Sequence, residues 1–253
     1  VSRDHDADAG GDPAVLGAKR ALREEVWQAL SDAGAARFPG ARNRIPNFSG
    51  AEEAAQRLAA LPEWDRADAV KANPDAPQRP VRARALEDGL VCYLAVPRLA
   101  GEKPFLRLDP DRLEVAPRDA ASIKGGEAHG ELVGVDEMEP VDLVVSGCVA
   151  VDRRGARLGK GGGFADLELA LAVEAGVVTE DTVVATTVHP LQVVEADRIP
   201  LAEHDTTVDV IVTPTEVIRC PRERPRPAEI AWDALTDEKI AAIPLLRRLV
   251  GRA

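Results

Sequence analysis

The densest run of chemistry-bearing residues in this 253-residue chain reads Gly155-Ala156-Arg157-Leu158-Gly159-Lys160-Gly161-Gly162-Gly163-Phe164-Ala165-Asp166. Glycines remove side-chain obstruction, so successive backbone N–H groups can approach phosphate oxygens, and a helix start just after them favours an anion. Arg157 and Lys160 add charge. A guanidinium suits a two-point phosphate contact and an ammonium acts as a compact point charge. Asp166 can help hold a divalent cation attached to the same phosphates. The run lacks the terminal Lys-Ser or Lys-Thr of a Walker A loop and the placement of a dinucleotide fingerprint. Taken alone, it reads as an anion-binding loop or as a flexible turn.

Other polar residues are candidates of lower specificity. Lys19 and Arg23 form an i,i+4 pair beside the apolar positions Val15, Leu22, Val26 and Leu30. That helix either presents two cations to one ligand or carries two solvated basic residues. His204-Asp205-Thr206-Thr207-Val208-Asp209 precedes a strand and offers either ligands or local caps. His189 follows a strand end and reads as a packing residue, His129 and His5 as surface residues, and Arg222, Arg224 and Arg226 as a solvated turn. No Ser-His-Asp ordering or structural zinc pattern emerges. Cys92, Cys148 and Cys220 make neither a CxxC pair nor an even set, which suits a reduced, cytoplasmic protein.

The elements that must position these residues follow from periodicity. Short apolar runs at Val141–Val145, Val183–Thr187 and Val208–Val212, with a helix from Leu167 to Ala175 between the first two, predict a mostly parallel α/β sheet. Such sheets take ligands beyond the carboxyl ends of their strands, which is where the glycine run falls. A helix capped by Ser49 and Glu52 and running through Leu61, a strand near Asp68–Asp75, a helix opening at Val81–Ala85 and a strand at Leu90–Val96 fill the first half. Residues Arg98–Gly134 read as an irregular excursion over a sheet edge or along one cleft wall, and Ile240–Val250 as a terminal helical cover.

Residues 1–13 read as a loose tail with no charged-then-hydrophobic leader, and residues 14–253 as a single α/β domain. A formal charge of −11 argues against a broad nucleic-acid-binding face, and no apolar stretch approaches the roughly 18 residues of a membrane span.

The segment Val141-Asp142-Leu143-Val144-Val145-Ser146-Gly147-Cys148-Val149-Ala150-Val151-Asp152, the Arg157–Asp166 loop, and His204-Asp205 followed by Val208-Asp209-Val210-Ile211-Val212-Thr213-Pro214 together resemble the 5-formyltetrahydrofolate cyclo-ligase family. With Lys19 and Arg23 the resemblance runs from about Ala14 to Ile218. It implies a three-layer α/β/α fold related to the sugar-phosphate isomerase and coenzyme A transferase architectures. It also implies ATP- and Mg2+-dependent cyclisation of 5-formyltetrahydrofolate to 5,10-methenyltetrahydrofolate, with release of ADP and phosphate. Residue by residue, it makes Lys19, Arg23 and Lys160 ATP ligands and Gly159, Gly161, Gly162 and Gly163 the backbone cradle. Arg157 and Asp166 become the catalytic residues, Phe164 a folate-binding wall, and Asp166 with Asp209 the metal ligands.

The family loop commonly reads glycine, tyrosine, three glycines, two tyrosines, aspartate and arginine. Lys160, Phe164, Ala165 and Leu167 depart from it, which leaves the phosphate cradle intact but alters the surface for the pterin. Ile45-Pro46-Asn47-Phe48 and Lys71-Ala72-Asn73-Pro74-Asp75 resemble a divergent branch, the methenyltetrahydrofolate synthetase domain-containing proteins. A nucleotide- or folate-binding regulatory role without turnover, and phosphotransfer to another small metabolite, are the alternative functions that the altered loop leaves open.

Overall fold

Successive strand side chains point to opposite faces, and in this chain that alternation builds two separate cores. In the computed structural model, which describes residues 12–250, the chain starts with α1 (Pro13–Asp32), α2 (Ala51–Ala59) and the short α3 (Pro62–Asp65). Then come β1 (Ala69–Ala72), α4 (Arg79–Glu87), β2 (Val91–Ala95), β3 (Phe105–Leu108), α5 (Pro117–Ala120), α6 (Ile123–His129) and β4 (Glu131–Val133). The second half runs β5 (Leu143–Val145), β6 (Ala150–Asp152), β7 (Arg157–Leu158), α7 (Phe164–Glu174), β8 (Val183–Thr187) and β9 (Val193–Val194). It ends with β10 (Val210–Val212), β11 (Val217–Arg219), α8 (Asp237–Ala242) and α9 (Pro244–Val250).

Eight strands form one sheet in the order β11-β10-β8-β5-β1-β2-β3-β4. The central strands from β10 to β2 are parallel, and β11, β3 and β4 join antiparallel at the edges. Leu143 and Val145 face Val70, Ala72, Cys92 and Leu94 in a core closed by α2 and α4 through Leu58, Val81, Ala85 and Leu86. Val144, between them, faces the other way, toward Tyr93, Val184 and Ile211, in a core closed by Leu167 and Leu171 of α7 and Leu245 and Leu246 of α9. The result is the expected three layers. A second sheet of three short strands, β7-β6-β9, carries α1, whose Leu22, Val26 and Leu30 pack on Val149, Ala150, Ala156 and Leu158.

Several sequence expectations change. Ser49 does not cap α2: its hydroxyl accepts a bond from Arg37, and the cap is Gly50, whose φ of 92° is left-handed. A Cβ at Gly50 would lie 2.5 Å from the Pro214 ring, so the position demands glycine. The Arg98–Gly134 excursion is ordered, with β3 and β4 widening the sheet through the buried Phe105, Leu106 and Leu108. Pro244 splits the terminal helix into α8 and α9, because proline supplies no backbone donor. Pro13 opens α1, with Asp12 accepting from the Ala14 amide, and the rest of the expected tail, His5 included, lies outside the described residues. Among the described residues no helix is long and apolar enough to cross a membrane.

One buried polar network ties the sheet to α7. Lys71 of β1 pairs with Glu168 at 2.8 Å, and both are almost fully buried. The Asn73 amide donates to the same Glu168 oxygen at 2.9 Å while its carbonyl accepts from the Gly147 amide and the Ser146 hydroxyl. Arg82, fully buried from α4, donates to the carbonyls of Asn73, Pro74, Asp75 and Ala121, and burial lowers its pKa to about 10, so it stays charged at neutral pH. These bonds fix the turn at the carboxyl end of β1.

Removing one partner of a buried pair leaves the other charge uncompensated, at about 3–5 kcal/mol. Glu168→Ala should therefore lower the unfolding free energy by that amount in urea titrations, whereas the double change Lys71→Met, Glu168→Leu should recover most of the loss. A double variant as unstable as Glu168→Ala would show that packing, not the unpaired ammonium, sets the cost.

Candidate functional site

The glycine run is held as a loop because the residues at its two ends are joined. Arg157, in β7, donates to Asp166, in the first turn of α7, at 2.5 Å, and to the Gly147 carbonyl at 3.2 Å. Asp166 Oδ1 also accepts from the Thr206 hydroxyl at 2.6 Å and the Thr206 amide at 3.1 Å. Burial opposes both charges. The Asp166 carboxylate nevertheless holds the Arg157 guanidinium above its ordinary range, and Arg157 with Thr206 holds the Asp166 carboxyl below the usual carboxylate range. Gly161 and Gly163 have φ of 103° and 60°, and Gly163 caps α7 without a side-chain acceptor for the helix amides. An uncapped helix start bordered by glycines offers its N–H groups to an anion.

Two cations of α1, Lys19 and Arg23, border the same cavity as this loop. Arg23 donates from Nε to the Gly159 carbonyl at 2.8 Å, and a Cβ at Gly161 would lie 3.4 Å from its guanidinium. Lys19 pairs with Asp205 at 2.5 Å. Exposures of only 7 % for Lys19 and 8 % for Arg23 rule out two solvated residues, since the face carrying them is the one α1 buries.

Lys19, Arg23, Arg157, Gly159, Gly161, Gly163 and Asp166 border one cavity of about 260 Å3. His204 and Asp205 border it as well. Lys160, Gly162, Phe164 and Asp209 do not. Lys160 reaches outward to Asp75 at 3.4 Å, and the Gly162 carbonyl accepts from Lys239 of α8 at 2.8 Å. The Phe164 ring lies 5.0 Å under the same ammonium. The folate-binding wall expected at Phe164 is thus engaged by Lys239 and stands outside the cavity.

Asp209 precedes β10, at the end of the strand opposite the site, where Arg222 and Arg226 clamp it at 2.6 and 2.9 Å and it accepts from the Val184 amide. Its assignment as a metal ligand is corrected on that placement. Arg222 and Arg226, read as a solvated turn, are these clamps.

Among the described residues no three His, Cys, Asp or Glu side chains gather to hold a metal ion. Asp166 is the acid left at the cradle, and its Oδ2 takes none of the three bonds made by Oδ1. One carboxylate fits Mg2+ that arrives on phosphate oxygens, as Mg2+ is ordinarily held, and not a resident ion in a protein cage.

His189 accepts from the Leu191 amide at 3.2 Å and meets the Phe48 ring edge, and burial lowers its pKa, as a neutral packing residue requires. His129 is exposed at the end of α6. Burial pushes the thiols of Cys92 and Cys148 up to about 12 and about 11, which makes both inert as nucleophiles. Two residues near the site escaped the sequence reading. Glu168 is one helical position from a core leucine and looks like surface charge, and Lys239 approaches from a segment with no motif.

The model of the 5-formyltetrahydrofolate cyclo-ligase family matches residues 15–214. A methenyltetrahydrofolate synthase domain-containing protein of Bos taurus is 41% identical over 233 residues, covering 91% of this chain and 61% of that protein. The chain thus spans about three fifths of the length of the curated relatives it matches. A 5-formyltetrahydrofolate cyclo-ligase of Arabidopsis thaliana, named as mitochondrial, is 36% identical over 110 residues, 42% of this chain and 37% of that one. The solved structure of Aquifex aeolicus 5,10-methenyltetrahydrofolate synthetase superposes with a TM-score of 0.52 at 25% identity, covering 82% of this chain and 95% of that one. On the family match and the shared fold, the chain belongs to the 5-formyltetrahydrofolate cyclo-ligase family.

Proposed function

We propose that this chain binds ATP with Mg2+ at the Gly159–Gly163 cradle and uses it to close the ring of a folate of the 5-formyltetrahydrofolate class. The observation that carries the reading is the convergence of Lys19, Arg23 and the stapled glycine loop on one cavity. The formyl oxygen attacks the γ-phosphorus, the bond to the β–γ bridging oxygen breaks, and ADP leaves. The neighbouring folate nitrogen then adds to the formyl carbon and loses its proton. The carbon–oxygen bond breaks, and phosphate carries away the former formyl oxygen. No protein nucleophile is needed, because orientation and charge stabilisation lower the barrier.

In this scheme Lys19 and Arg23 counter phosphate charge, Asp166 meets the nucleotide-borne Mg2+, and Arg157 acts as a positioning residue that fixes Asp166 and the loop. Three unbridged cysteines suit a reducing compartment such as the cytoplasm. A binding protein without turnover is the second reading, favoured by the Phe164 ring lying under Lys239 and by the small side chain of Ala165.

The decisive measurement incubates the chain with ATP, Mg2+ and mono- or polyglutamylated 5-formyltetrahydrofolate while following methenyl product and ADP together. Near one-to-one formation is expected. ATP binding without ring-closed product from either folate would reject turnover and leave the binding reading.

Charge-assisted bonds are worth about 1.5–3 kcal/mol, so Lys19→Ala or Arg23→Ala should weaken MgATP binding roughly 10- to 150-fold in calorimetry, with adenosine affinity unchanged. Equal weakening of ATP and adenosine would argue for a packing role instead.

The lowered Asp166 pKa sets a pH dependence. A depressed carboxylate contributes stability that is full above its unfolded pKa of about 3.9 and is lost as pH falls through its folded value. The stability difference between wild type and Asp166→Asn should be flat from pH 8 to pH 5 and shrink below pH 4. A change centred near neutral pH would contradict the ion pair.

A further inference from the structure

The family match ends at residue 214, yet the cavity does not. Pro227, Ile230, Ala231, Ala234, Leu235 and Lys239 border it from the C-terminal side. This segment is pinned at both ends. Arg222 and Arg226 hold its start on Asp209, the buried Ile230 donates its amide to Glu174, and Ile243, Leu245 and Leu246 are buried at its end. Fixed anchors make it a wall of the cavity.

The cavity is graded along α1. Asp12, Val15, Leu16, Lys19 and Arg23 all border it, and a rise of 1.5 Å per residue puts Arg23 roughly 12 Å beyond Val15. One end is therefore acidic and apolar and the other is cationic at the glycine loop. Lys239 joins the cationic end. Its ammonium donates to the Gly162 carbonyl at 2.8 Å, and a Cβ at Gly163 would lie 2.9 Å from it. Of the four acids on the wall, Asp205 and Asp166 are paired with Lys19 and Arg157, Asp12 lies at the far end of this gradient, and Glu229, on the C-terminal segment itself, is exposed.

We propose that residues 227–239 form a strap that completes the nucleotide site, with Lys239 as a polyphosphate-binding residue supplied from outside the family-matched span. The inference rests on the nucleotide reading above and adds a residue to it. Lysine suits the role because its ammonium carries three donors on a flexible stem, so it can keep the loop carbonyl and meet a phosphate oxygen. The apolar part of the strap, Ile230 to Leu235, then covers the nucleoside.

The test uses the full chain, with calorimetric titration of MgATP, adenosine and inorganic tripolyphosphate against wild type, Lys239→Gln and Lys239→Arg. Lys239→Gln should weaken MgATP and tripolyphosphate about 10-fold or more and leave adenosine unchanged, and Lys239→Arg should restore most of the affinity. Unaltered MgATP affinity in Lys239→Gln would overturn the strap while leaving the nucleotide reading standing. Lys239-dependent binding of tripolyphosphate by a wild type that ignores ATP would support the cation and reject the nucleotide. Wild type that binds neither would overturn both. Should Lys239→Gln fail to fold, acetylation of wild type with and without MgATP decides the matter, since protection of Lys239 is expected and its absence would overturn the proposal.

Discussion

The Arg157–Asp166 ion pair is the constraint on which the site depends. It spans the glycine run from β7 to the first turn of the following helix and so converts a flexible segment into a loop of fixed ends. Buried ion pairs are costly, since desolvation of two charges offsets much of their attraction, and an apolar pair of similar size would often hold a fold as well. What apolar residues cannot do is hold a carboxylate at the edge of the cavity that the glycine loop borders. The position of Asp166 is set through one oxygen by Arg157 and Thr206, which keeps the carboxylate ionised and oriented.

That staple is connected to the sheet through shared atoms. Arg157 donates to the Gly147 carbonyl, the Gly147 amide donates to Asn73, and Asn73 donates to Glu168, which holds Lys71. The chain of bonds passes from β7 through the end of β5 and the end of β1 into α7, so these four elements cannot shift independently. The parallel topology explains its place, because β1 and β5 both end at this edge and leave their terminal groups for side chains to satisfy.

The parts of the fold legible in the sequence were those whose burial has one simple period. Leu143–Val145, Val183–Thr187 and Val210–Val212 are buried almost throughout and read as continuous apolar runs, and α1 shows its stripe. β4 was illegible because an edge strand such as Glu131–Val133 is mostly exposed and borrows its regularity from its neighbour, and β3, though largely buried, is only the four residues Phe105–Leu108 in a stretch rich in turns. Within the site, glycine spacing marked the cradle and i,i+4 spacing marked Lys19 and Arg23. Asp209 misled because sequence groups it with His204 and Asp205, whereas its place just before β10 puts it at the amino end of that strand, away from the glycine loop, and only tertiary packing brings Arg222 and Arg226 to it there. Lys239 could not be found from spacing, since only tertiary packing brings it to Gly162.

The loop departures acquire a physical sense from their surroundings. Leu167 stands where the family loop carries a cation, and it is buried in the core beneath α7, so that charge is not merely missing; its position serves packing. Glu168, the next residue, takes the Lys71 ammonium inside the protein. Positive charge at the loop instead comes from Lys160, outside the cavity, and Lys239, bordering it, both on flexible stems. An aromatic residue persists at Phe164, but the Lys239 ammonium lies over one face of its ring, 5.0 Å from the centroid. The same departures that leave cations around the glycine loop thus reduce the aromatic surface beside it, at Ala165 and where Lys239 covers Phe164.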